Sequence, residues 1–78
     1  MTREKLLAEL RGYGINPKVI GNRRMRDGRT VEIQFQEEDD FGPCHDGFGV
    51  DFAAAERDAL AKGLAYYRQV NRMDGGRY

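Results

Sequence analysis

The sequence predicts a small α+β domain: a helix, an antiparallel β-hairpin to which a short third strand can add, and a long C-terminal amphipathic helix packed on the sheet. Three observations carry this. Apolar residues recur at helical spacing over residues 52–71, they alternate strictly at Val31, Ile33 and Phe35, and Asp27-Gly28 stands between two extended stretches. With 78 residues there is room for one core, so a single compact domain is expected over residues 1–73, followed by a flexible tail at 74–78.

The first helix is read from Leu6, Leu7, Leu10 and Tyr13, spaced three and four apart, with Thr2 as its N-cap. Gly12 and Gly14 offer C-cap positions and Asn16-Pro17 prevents continuation, so the helix should end near residue 12. Lys18 to Met25 and Thr30 to Gln36 then flank the turn sequence Arg26-Asp27-Gly28-Arg29. A two-residue turn at Asp27-Gly28 pairs Met25 with Thr30 and Ile20 with Phe35, which puts Ile20 in the core. A three-residue turn with a bulge instead sets Val19, Gly21 and Arg23 against Phe35, Ile33 and Val31, and both registers stay open. In either case the first strand is polar and arginine-rich, as suits an edge.

Residues 37–47 are acidic and broken by Gly42, Pro43 and Gly47, which reads as an exposed loop. Phe48, Val50 and Phe52 alternate with Gly49 and Asp51, the pattern of a short third strand, while Asp51 is also a good N-cap. The final helix is expected from about Phe52 to Asn71. Phe52, Ala55, Ala59, Gly63, Tyr66 and Val70 form one stripe, flanked by Ala53, Leu60, Leu64 and Tyr67, with Arg57, Asp58, Lys62, Arg68, Gln69 and Arg72 opposite. That apolar arc is wide for so small a sheet. Its small residues, Ala59 and Gly63, permit close approach, so a homodimer through Ala59, Gly63, Tyr66 and Tyr67 is expected. For the tyrosines, core packing is the commoner role of such a pair.

A chain this short buries only about 60–65% of its unfolded surface and gains roughly 3–5 kcal/mol of net stability. The single Cys excludes an internal disulfide, and one Cys with one His cannot supply a structural zinc site, which together predict a reducing, cytoplasmic setting. No apolar run approaches a membrane span or a signal-peptide core. No cofactor is expected.

Thirteen Lys and Arg balance thirteen Asp and Glu, but the balance is segregated. Residues 1–36 hold eight bases and four acids, residues 37–56 seven acids and no Lys or Arg, and residues 57–78 five bases and two acids. The acidic block of Glu37, Glu38, Asp39, Asp40 and Asp46 is ordinarily a solvated loop; its sharper reading is a patch that docks on a basic protein surface built for a phosphate backbone. It lacks the ligand spacing of a calcium loop. Arg23, Arg24, Arg26 and Arg29 surround the turn and can enter a nucleic-acid groove as a ribbon, or serve as edge protection or as a secondary interface. Direct nucleic-acid binding is disfavoured, because no aromatic platform interleaves them and the neighbouring acids repel phosphate.

Cys44-His45-Asp46 has the residue types of a metal or nucleophile cluster. Adjacent residues in a strand point apart, however, and nucleophilic catalysis needs a base from elsewhere, so neither metal nor catalytic residues are assigned. Gly47-Phe48-Gly49 completes no phosphate-loop pattern.

In size, in its lack of catalytic residues and in its exposed acidic block, the chain resembles small phage and prophage inhibitors of bacterial defence, the anti-CRISPR proteins. The resemblance is one of overall character, and these inhibitors share no motif from which a residue can be carried over. It implies a non-enzymatic protein that acts in the host cytoplasm. Glu37, Glu38, Asp39, Asp40 and Asp46 would shield a basic DNA-binding surface of an effector complex. The alternative is a regulator contacting DNA or RNA through the arginine-rich hairpin.

Overall fold

The computed structural model describes residues 2–37 and 42–75. The elements follow in the order α1 (Arg3–Gly12), β1 (Ile15–Met25), β2 (Gly28–Glu37), β3 (Cys44–Gly49) and α2 (Phe52–Gly75). The strands form one antiparallel sheet in the order β1-β2-β3, so β1 and β3 are its edges. Both helices lie on the same face and run parallel to each other. Arg3 meets Glu56 at 2.7 Å near their N-terminal ends, and Arg68 bonds Glu9 further along.

Each helix starts where its cap predicts. The Thr2 hydroxyl accepts the Lys5 N–H at 3.3 Å, and the Asp51 carboxylate accepts the Ala54 N–H at 2.8 Å. α1 closes when Tyr13 and Gly14 donate back to Leu10 and Arg11, and Gly14, at a φ of +77°, turns the chain into β1.

β1 begins at Ile15, three residues before the expected start, and takes Pro17 into the strand. Proline fits because its position needs no donor: opposite Phe35, whose own N–H bonds the Pro43 carbonyl at 2.9 Å on the far side of β2. Neither expected register forms. The turn is Arg26-Asp27, with Met25 opposite Gly28, and a register shift between Val19 and Gly21 leaves Ile20 as an extra residue. Hence Asn22, Val19 and Pro17 face Val31, Ile33 and Phe35, and Ile20 is 47% exposed rather than in the core. A type I′ turn at Asp27-Gly28 requires positive φ at both central residues, and Asp27 does not have it.

β3 also lies earlier than expected. Cys44, His45, Asp46 and Gly47 belong to the strand and not to a loop, Val50 is 77% exposed, and Phe52 is the first residue of α2. The residues that β3 turns towards α2 include Gly47 and Gly49, which have no side chain for an alternation of apolar residues to reveal. They let the backbones approach: a Cβ on Gly47 would lie 2.0 Å from the Ala55 carbonyl oxygen, and one on Gly49 2.5 Å from the Ala55 nitrogen.

Along α2, Ala55, Ala59 and Gly63 meet the sheet, while Leu60, Leu64 and Tyr67 are buried beside them with Leu6 and Leu10 of α1. Phe35 is the largest fully buried side chain and lies against Gly63. The Tyr67 hydroxyl donates to the Phe35 carbonyl at 3.4 Å, and burial, reinforced by Glu37 and Tyr66, pushes its pKa up to about 12. The helix continues to Gly75, beyond the expected end at Asn71 and through the start of the expected tail; residues 76–78 lie outside the described residues.

Candidate functional site

Two helices cover one face of the sheet, and strand alternation then decides which charges stand on the other. Thr30, Glu32, Gln34 and Gln36 of β2 share this open face with Lys18, Gly21 and Arg23 of β1 and with Cys44 and Asp46 of β3. Glu32 stands directly opposite Asp46. The Phe48 N–H and the Asp46 carbonyl point away from β2, to Asp58 and Lys62, so Glu32 and Asp46 form the closer, non-hydrogen-bonded type of antiparallel pair. Like charges so placed cost about 0.2–1 kcal/mol. Neither carboxylate has an ion-pair partner among the described residues. Beside them, where Gly21 contributes no side chain, is an open hollow of about 360 Å³ bounded also by Asn22, Arg23 and Thr30.

A second like-charge pair lies nearer the turn. Arg24 is opposite Arg29, and Arg23 and Arg26 are exposed next to them, all four without an ion pair among the described residues. The N-terminus of α2 follows β3 out of the sheet at this same end, and α1 begins close to it. The N-terminus of α2 at this end is capped by the Asp51 carboxylate.

Of the expected acidic patch, Glu37 ends β2 and is exposed, and Asp46 is exposed on β3. Glu38, Asp39 and Asp40 lie outside the described residues. Glu32, read from sequence only as a wet-face residue, joins the patch through a pairing that no local pattern announces. Ala59, Gly63 and Tyr67 are buried against the chain's own sheet, leaving Tyr66, 42% exposed, as the surface member of that set. The apolar arc that motivated a homodimer is covered from within.

Cys44 and His45 point to opposite faces. Cys44 is exposed, whereas His45 lies between the rings of Phe35 and Tyr66, with centroids at 5.1 and 5.5 Å, and its Nε2 is buried without a hydrogen-bond partner. Burial lowers the His45 pKa, Lys62 lowers it further, and Asp46 opposes both. This is a packed neutral imidazole. No group of three or more His, Cys, Asp or Glu side chains able to hold a metal occurs among the described residues.

Part of the free edge of β3 is occupied by α2. The Asp58 carboxylate accepts the Phe48 N–H at 2.9 Å, Lys62 donates to the Asp46 carbonyl at 3.2 Å, and the two side chains pair with each other at 2.9 Å. Lys62 also sits 4.9 Å from the Phe48 ring centre. These bonds, with Lys62 foremost, hold the Asp58 carboxyl below its usual range. A depressed folded-state pKa stabilises above the unfolded value and loses that stabilisation as pH falls, so the clamp should weaken below about pH 4. In urea titrations across this range, Asp58→Asn is expected to flatten the acid limb; an unchanged limb would show that the clamp contributes nothing.

No protein-family model, curated protein or solved structure matches the chain.

Proposed function

We propose that the chain is a non-enzymatic inhibitor of the anti-CRISPR kind, which presents an acidic surface to the basic DNA-binding surface of a bacterial effector complex in the host cytoplasm. The observation that carries this reading is the Glu32–Asp46 pair: two exposed carboxylates held opposite each other with no cation between them. They concentrate negative charge on a sheet face that neither helix covers, and Glu37, Glu38, Asp39 and Asp40 belong to the same acidic run of the sequence as Asp46. A lysine or arginine surface relieves that repulsion on binding. Charge complementarity of this kind raises association rates and excludes phosphate by competition.

The test is a competition gel shift with a CRISPR effector complex and its target duplex. The wild-type chain is expected to displace DNA, less effectively as salt screens the attraction. The Glu32→Gln, Asp46→Asn double variant should be as stable as wild type or more so by a few tenths of a kcal/mol, because the repulsion is gone. It should compete about tenfold less well. Equal competition by the folded double variant removes the acidic-face mechanism.

A second reading is favoured by the clustering of Arg23, Arg24, Arg26 and Arg29 around the β1–β2 turn, without an ion pair among the described residues, which is the electrostatic arrangement of a phosphate contact. A gel shift with duplex and single-stranded probes and this chain alone separates the two. The inhibitor reading expects no shift.

A further inference from the structure

We infer that the outer edge of β1, from Gly21 to Met25, is a docking site for an extended acidic peptide segment of another protein, which joins the sheet as a fourth strand. The inference does not use the acidic face.

The two edges of the sheet are not equivalent. Asp58 and Lys62 occupy outward backbone groups of β3, as described above. No side chain does this for Gly21–Met25: none of its backbone groups takes part in a side-chain hydrogen bond among the described residues. The direction of the free groups follows from β2. Phe35 donates to the β3 side, so Val31, Ile33 and Phe35 bond β3 while Thr30 and Glu32 bond β1. Their partners Arg23 and Gly21 therefore point inwards, and the N–H and C=O groups of Asn22 and Arg24 point outwards. Nearer the base of the strand, Pro17 has no N–H and the shift at Ile20 breaks the register, which confines a docked strand to the turn-proximal half.

The chemistry of the occupant follows from charge. Lys18, Arg23, Arg24 and Arg26 lie along the edge and its turn, with no acid from Ile15 to Arg26. Arg23 and Arg24, adjacent in the strand, stand on opposite faces, so carboxylates on both faces of an added strand find a partner. A second copy of this chain paired antiparallel along the same edge would set arginine against arginine, so the residues that select an acidic strand also reject self-pairing. Ile20 and Met25 are exposed at the two ends of the segment and offer apolar contact to the flanks of the added strand. Main-chain hydrogen bonds supply affinity in this mode and the side chains supply selectivity.

The experiment uses a fluorescein-labelled peptide of about eight residues alternating Glu and Val, read by anisotropy and by amide hydrogen exchange of the whole chain. The expected result is saturable binding that slows exchange at Asn22 and Arg24. N-methylation of alternate peptide nitrogens should weaken binding at least about tenfold, and the Lys-Val peptide should not bind. Arg23→Glu, Arg24→Glu, at two exposed positions, should exchange the preference for the Lys-Val peptide. The inference is overturned by absence of binding, by equal binding of the N-methylated peptide, or by protection at β3 instead of β1. It is equally overturned if a nucleic-acid duplex protects Asn22 and Arg24 and the acidic peptide does not.

Discussion

Replacing Gly47 with alanine is expected to destabilise the fold by about 3 kcal/mol, at the upper end of what overpacking costs. The new Cβ would sit 2.0 Å from the Ala55 carbonyl oxygen, 2.3 Å from the Ala59 nitrogen and 2.7 Å from the Ala59 Cβ. Two of these are backbone atoms, which cannot rotate aside, so β3 and α2 must separate. The separation also pulls Phe48 and Asp46 from Asp58 and Lys62. Against the roughly 3–5 kcal/mol available to a domain of this size, the variant should keep only about 0–2 kcal/mol and populate a substantial unfolded fraction. Circular dichroism with urea titration measures this, and Gly12→Ala, whose Cβ meets nothing within 4 Å, is the control that should stay at or slightly above wild-type stability. A wild-type midpoint for Gly47→Ala would mean that β3 and α2 do not pack as described.

Phe35→Ala should cost about 3–5 kcal/mol, from lost burial plus the cavity left behind. Phe35 is fully buried, its ring meets His45 edge-on at 5.1 Å and Tyr67 at 6.1 Å, and it fills the space above Gly63. That last contact gives the prediction a second arm. A Cβ on Gly63 would lie 2.2 Å from the Phe35 ring, so Gly63→Val alone should also destabilise, yet in the Phe35→Ala background its side chain enters the vacated space. The double variant is therefore expected to be about 1–2 kcal/mol more stable than the sum of the single changes implies. Additivity in this cycle would place Gly63 and Phe35 out of contact.

The parts of the fold legible in the sequence are those fixed by local chemistry. Thr2, Asp51, Gly12 and Gly14 bound the helices because caps act over three or four residues. The alternation of Val31, Ile33 and Phe35 marked the strand buried on one face. Register depends on contacts remote in sequence, and there the reading failed: Arg26-Asp27 became the turn, Ile20 was extruded, and β3 moved to residues 44–49. The candidate site divides in the same way. The arginine cluster was visible because its members are neighbours along the chain. The Glu32–Asp46 pair, and the grip of Asp58 and Lys62 on β3, join residues from different elements that only the folded sheet brings together.

The partly occupied edge of β3 also limits how the protein can aggregate. Cross-β growth needs two exposed edges on every unit, one to accept the preceding copy and one to template the next. Here Asp58 and Lys62 already take up the Phe48 N–H and the Asp46 carbonyl, and a strand adding to β3 must displace both, so end-to-end stacking of native sheets is disfavoured on that side.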